Sequence, residues 1–278
     1  MKRELQPPGC GEPATKPGEL LFFLFAGQSN MAGADALIAG DGSHDLLEAG
    51  LQTEADRTAL FTYGPGFSDD LESGFCPWGD IRGHGSPALK VHGPEVGFAR
   101  TLHEAGIHNI AIIKVAANIP YDSPGRDTWP WGKGEKTDAP DYYDQWHRFV
   151  HRRTAEMTQR GYSGKVEGVV WHQGIDDAIN RVTEEAYAER LSRLIADLRQ
   201  EYNCPAAPLL LARSANSPIA TVAAMAPIRA AQQRVADGDD RALWIDVDDL
   251  PNVNQHHFSS SAQLVIGRRF GEAYLKLR

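Results

Sequence analysis

The sequence has little cysteine, no long hydrophobic run and no excess of positive charge, and each shortage removes a class of protein. Its three cysteines, Cys10, Cys76 and Cys204, are odd in number and far apart. They therefore supply neither a disulfide framework nor the close spacing of a metal site. The most apolar run, residues 20–26, is only strand length and falls well short of a membrane span. Acidic residues outnumber basic ones, 37 to 28, giving a formal net charge of −9. With no basic stripe to offset that charge, nucleic acid is a poor partner, and a neutral or cationic one such as a glycan fits better. The chain starts Met1, Lys2, Arg3 and runs on to Pro7, Pro8 and Gly9 with no apolar signal core. As it stands it reads as cytoplasmic, or as secreted or periplasmic where a signal peptide has been removed. Nothing in it specifies an oligomeric state.

What is present is an ordinary globular balance, 42% hydrophobic and 23% charged, over 278 residues, which is enough to bury a sizeable core. Five apolar runs recur, at residues 20–26, 110–116, 166–172, 208–212 and 242–247. They are continuous rather than alternating, as strands buried on both faces of a parallel sheet should be. Amphipathic stretches separate them. In the clearest, residues 183–202, Tyr187, Leu191, Leu194, Ile195 and Leu198 recur at helical spacing behind an N-cap at Thr183. A last helix over 261–276 carries a capping-box pattern in Ser260 and Gln263. Strand–helix alternation without a linker or repeat predicts one α/β domain over 19–278, a three-layer αβα sandwich of about five parallel strands, after an extension over 1–18.

Two long segments interrupt the alternation, 33–93 and 118–141. Long loops in a compact domain are commonly functional, and those at the carboxyl ends of parallel strands are where ligands bind. The second carries Trp129 and Trp131, which can stack on a sugar ring or pack as a local core.

Ser29 stands directly after the first run, in Gly27-Gln28-Ser29-Asn30-Met31, so its hydroxyl is expected at the carboxyl edge of the sheet. The G-x-S-x-G elbow of α/β-hydrolases is absent, because position 31 is methionine. More than 220 residues later, His256 and His257 lie between the fifth run and the last helix, at the same edge. A histidine there can act as general base to the serine.

Four blocks occur in a fixed order: Gly27-Gln28-Ser29-Asn30-Met31, then Gly93-Pro94-Glu95 with Phe98-Ala99-Arg100, then Trp171-His172-Gln173-Gly174, then His257-Phe258 with Gly267-Arg268-Arg269-Phe270. Together they resemble the sialate O-acetylesterase and acetylxylan esterase branch of the SGNH hydrolase superfamily, of the carbohydrate esterase family 6 type. The resemblance implies a flavodoxin-like fold and removal of O-acetyl groups from carbohydrate without metal or cofactor. It makes Ser29 the nucleophile and His257 the base, with the Ser29 backbone N–H and the Gln173 side chain as oxyanion donors. Gln28, Glu95 and His172 are the further candidates for substrate contact, and Glu95 is equally suited to bracing a loop.

Three positions depart from the family pattern. Asn254 replaces the usual Asp three residues before the histidine, Ile175 replaces the Glu after Gln173-Gly174, and Ala117-Asn118 replaces a Gly-Gly pair at the oxyanion site. Asn254 is expected to orient His257 by accepting its Nδ1–H, and Asn118 to join the oxyanion donors. Asp176, Asp177, Asp248 and Asp249 are the acids that can stand in for the missing carboxylate. Asp-to-Asn in a serine protease triad costs about 10⁴ in turnover. The alternative is therefore a weakened or inactive relative that binds acetylated glycan; a different ester or thioester is a third option.

Two further clusters suggest chemistry and are read more plainly. His147 and His151 have the i, i+4 spacing of zinc ligands, but no Glu lies between them, so they read as a solvated helix face. Gly83-His84-Gly85 follows no strand and precedes a turn into proline, so it is no phosphate cradle.

Overall fold

The computed structural model describes residues 18–34, 36, 53–64, 75–77, 92–116, 131–134, 142–213 and 220–278. Seven strands occur in them: β1 (Glu19–Gly27), β2 (Leu60–Tyr63), β3 (Cys76–Pro77), β4 (Ile110–Ala116), β5 (Ser163–His172), β6 (Leu209–Ala212) and β7 (Ala242–Ile245). Eight helices accompany them: α1 (Ser29–Ala32), α2 (Glu54–Thr58), α3 (Glu95–Glu104), α4 (Tyr142–Gln159), α5 (Ile175–Ile179), α6 (Glu184–Glu201), α7 (Val222–Asp237) and α8 (Ser260–Leu277).

The strands form one sheet in the order β3-β2-β4-β1-β5-β6-β7. All neighbours are parallel except β2 and β3. The five expected strands are β1, β4, β5, β6 and β7. The other two lie inside the segment read as a 60-residue loop. β2 is only four residues long, too short for its period to register, yet all four residues are buried.

β1 shows why its run is continuous. Leu20, Phe22, Leu24 and Ala26 pack on one side with residues of α4, α6 and α7. Leu21, Phe23 and Phe25 pack on the other with residues of α3 and α8. Both faces are covered by helices, so each position must be apolar. Where α3 meets α8 the backbones nearly touch: a Cβ added at Gly267 would lie 1.9 Å from the Pro94 carbonyl oxygen. Only glycine permits that approach.

The helix starts follow their expected chemistry with one correction. Thr183 caps α6, its hydroxyl accepting from the Ala186 N–H at 3.2 Å. The cap of α8 is Ser259 rather than Ser260: its hydroxyl accepts from the Ala262 N–H at 3.1 Å. Ser260 is already helical and its Oγ lies 2.6 Å from His92 Nε2. Gln263 does not complete a capping box, because its amide is drawn to the Asn30 carbonyl, 2.9 Å away. Among the described residues, no helix is long and apolar enough to cross a membrane.

Candidate active site

The three central strands end together. Gly27 at the end of β1 is level with Ala116 of β4 and His172 of β5, so the segments that follow β1 and β5 both start at the carboxyl edge of the sheet, where ligands bind in parallel sheets. Gly27 adopts φ +155°, and a Cβ there would lie 2.1 Å from the His172 carbonyl oxygen. This close approach lets the Gln28 N–H donate to that oxygen at 3.1 Å. α1 then begins at Ser29, which is 6% exposed. The Ser29 N–H lies in the first turn, where a helix leaves its amides without intrahelical acceptors.

Asn30 joins the Ser29 turn to the His257 loop. Its Nδ2 donates to the His256 carbonyl at 2.9 Å, and its Oδ1 accepts from the Phe258 N–H at 3.3 Å. These two bonds bracket His257. The loop is closed on itself by Val253 N–H to the His257 carbonyl, 2.9 Å, and by an Asn252–Phe258 bridge. One amide side chain thus holds the histidine loop against the turn that carries Ser29, across 226 residues of sequence.

Asn254 behaves differently from the expectation. Its Oδ1 accepts the main-chain N–H groups of His256, 3.0 Å, and His257, 2.8 Å. Two fixed donors decide which end of the amide is oxygen. The end that faces His257 Nδ1, at 3.3 Å, is therefore the NH₂ group. An NH₂ can only donate, so neutral His257 accepts at Nδ1 and carries its proton on Nε2. The anticipated Nδ1–H to Asn254 bond is replaced by its reverse.

Asp248, Asp249 and Asp177 are engaged with other partners. Asp248 is paired with Arg229 at 2.5 and 2.9 Å, and Asp249 with Arg269 at 2.6 and 2.7 Å. Asp177 accepts from the Gln173 amide. Burial, with Asp176 beside it, pushes the Asp177 carboxyl up to about 7 despite that bond.

Gln173 sits in a buried network. Its amide N–H goes to Asp177, its Oε1 accepts from the Tyr187 hydroxyl at 2.9 Å, and its carbonyl accepts from Gln232 Nε2 at 2.7 Å. An amide nitrogen has two hydrogens, so one donor is committed to holding the rotamer.

Four residues expected near substrate are placed in the interior. Gln28 Oε1 accepts from the N–H groups of Gly174, 2.7 Å, and Ile175, 3.1 Å, which fastens α5 to the Ser29 turn. Glu95 is 0% exposed and paired at 2.9 Å with Lys114, also 0% exposed. The same ammonium approaches the Ala32 carbonyl at the end of α1, 3.3 Å. Trp131 is fully buried against Tyr142, Trp146 and Trp171, so no ring face is offered to a sugar. His172 is buried near Phe258, and burial lowers its ring pKa to about 4. Asn118 and Trp129 lie outside the described residues.

Sequence reasoning missed Asn30, Tyr187, Gln232 and Lys114 as site residues, and it considered Asp177 only as a partner of His257, not of Gln173. Asn30 was visible beside Ser29, but nothing local marks a side chain whose partners lie 226 and 228 positions away.

A family model described as carbohydrate esterase, sialic acid-specific acetylesterase matches residues 19–276. A curated Arabidopsis thaliana relative, named as a probable carbohydrate esterase, is 26% identical over 184 residues, which is 66% of this chain and 63% of that protein's length. A solved structure of an Arabidopsis thaliana protein superposes with a TM-score of 0.61 at 20% identity, covering 93% of this chain and 98% of that one. A structure described as a novel carbohydrate acetylesterase from Xanthomonas citri gives 0.63 at 18%, covering 91% and 55%. At these identities the solved structures are likenesses of fold.

Proposed function

Because the chain belongs to the sialic acid-specific acetylesterase family of carbohydrate esterases, we propose that it removes O-acetyl groups from carbohydrate through an acetyl-enzyme on Ser29. The observation that carries this reading is the Asn30 clamp, which ties both flanks of His257 to the turn that bears Ser29. A serine and a histidine on segments joined in this way are the pair that nucleophilic catalysis needs.

In this reading Ser29 Oγ attacks the acetyl carbonyl while its proton passes to His257. The tetrahedral oxyanion is met by the Ser29 N–H and the Gln173 side-chain amide; such a donor is worth about 10²–10³-fold in rate. Collapse breaks the ester bond, and His257 returns the proton to the departing sugar hydroxyl. Water, deprotonated by His257, then attacks the acetyl-enzyme and releases acetate. Asp177, Tyr187 and Gln232 act as positioning residues by holding Gln173. The supporting side chains need no metal or cofactor for these steps.

The weak point is the base. Nδ1 faces Asn254, so Nε2 is the nitrogen left to take the serine proton, and it already carries one. Turnover requires the other tautomer, in which two N–H groups oppose each other at 3.3 Å. The enzyme is therefore slow for its family. The test is acetate release from p-nitrophenyl acetate and acetylated xylan by the parent, Ser29→Ala and Asn254→Asp. Activity that vanishes with Ser29→Ala and rises with Asn254→Asp supports the reading. Equal background rates in all three would overturn it.

A further inference from the structure

The i, i+4 histidines of α4 acquire a third partner that the sequence could not bring to them. Glu201, the last residue of α6, lies against His147 and His151, and one ligand atom from each residue falls within 4.8 Å of the other two. We infer that His147, His151 and Glu201 form a binding site for one divalent transition-metal ion of the zinc type, bracing α4 to the end of α6.

The geometry supports coordination in three respects. His147 Nε2 and Glu201 Oε1 are 3.4 Å apart, and two tetrahedral ligands at zinc bond lengths of about 2.0–2.1 Å are separated by about 3.4 Å. The Tyr202 hydroxyl lies 3.3 Å from His147 Nδ1. As acceptor of the Nδ1–H it leaves the Nε2 lone pair turned toward Glu201, the outer-shell arrangement that orients a metal-binding imidazole. The carboxylate oxygens are divided, because Lys133 bonds Oε2 at 2.8 Å while Oε1 faces His147.

Two imidazoles and a carboxylate suit zinc, copper or nickel rather than magnesium or calcium. His151 is exposed, so water completes the shell from the solvent side. The site is built from α4 and α6, apart from the Ser29 turn, and its role is structural.

Metal-stripped protein titrated with Co²⁺ should show one equivalent of d–d absorption typical of low coordination number, displaced by Zn²⁺. Zn²⁺ should also raise the melting temperature. His151→Ala, an exposed change that does not threaten folding, should weaken Zn²⁺ binding at least about tenfold and abolish the thermal shift. Glu201→Gln should do the same, and Ser29→Ala should leave both unchanged. Absence of a stoichiometric Co²⁺ spectrum, or equal affinity in His151→Ala, would overturn the site. Equal affinity would assign the ion to another pair, such as His103 and His108, whose rings are 4.2 Å apart.

Discussion

The Ser29 turn and the His257 loop are joined through Asn30, yet they are built in opposite ways. Gln28, Ser29, Asn30 and Gln173 are all buried. The side chains of Gln28, Asn30 and Gln173 are fixed by bonds to main chain or to other buried groups. The loop over residues 251–257 is exposed or half-buried, and its geometry rests on Asn254 and on Asn30 reaching across to it. Where every polar group is satisfied in the interior, a substitution leaves an orphan and is expensive. Asn254, the departure beside the proposed base, sits on the exposed side.

The sharpest test of this contrast changes one residue on each side. Ser29→Ala should lower acetate release by about 10²-fold, to the residual rate of the rest of the site, because a parent that lacks the triad Asp has already lost most of the triad's contribution. Asn254→Asp should act in the opposite direction. By supplying an acceptor to Nδ1 it should raise kcat by up to about 10⁴-fold with little change in KM, measured by steady-state kinetics on acetylated xylan. A flat response to Asn254→Asp would show that the loop's polarity does not limit the rate.

Beneath the Ser29 turn, Glu95→Ala leaves the Lys114 ammonium buried without its counter-charge and should cost about 3–5 kcal/mol of stability by denaturant titration. An exposed pair such as Arg268–Glu272 should cost less than about 1 kcal/mol when broken the same way. Asn30→Ala should cost about 1–3 kcal/mol through unsatisfied main-chain groups. It should also lower kcat more than it raises KM, because the base loses its register.

The smallest effect is a change in pH dependence. The raised carboxyl of Asp177, near 7, contributes stability that is present below its ordinary value of 3.8 and is lost as pH rises to 7. His172, lowered from 6.5 to about 4, loses stability as pH falls over nearly the same window. The two slopes oppose each other between pH 4 and 6.5. Asp177→Asn removes one of them, so its stability should fall more steeply than the parent's on acidification, by at most about 1.4 kcal/mol per pH unit. Parallel curves from urea titrations at several pH values would show that Asp177 is ionised in the folded protein.

The amino-acid sequence alone determined the parallel sheet, because runs such as Ile110–Ala116 must be apolar on both faces, and it placed Ser29 and the His257 loop at one edge by strand order. It also carried the motif blocks that mark the family. Only the tertiary structure decided what those side chains face. Trp131 and Glu95 read equally well as contacts or as interior groups until the packing around Trp146, Trp171 and Lys114 is known. Asn254 reads as an acceptor until two main-chain donors claim its oxygen, and His147 with His151 reads as a wet helix face until Glu201 arrives from another helix. The physical reason is common to all of these. Period and propensity are local, whereas the orientation and partner of a polar side chain depend on groups brought beside it by the whole fold.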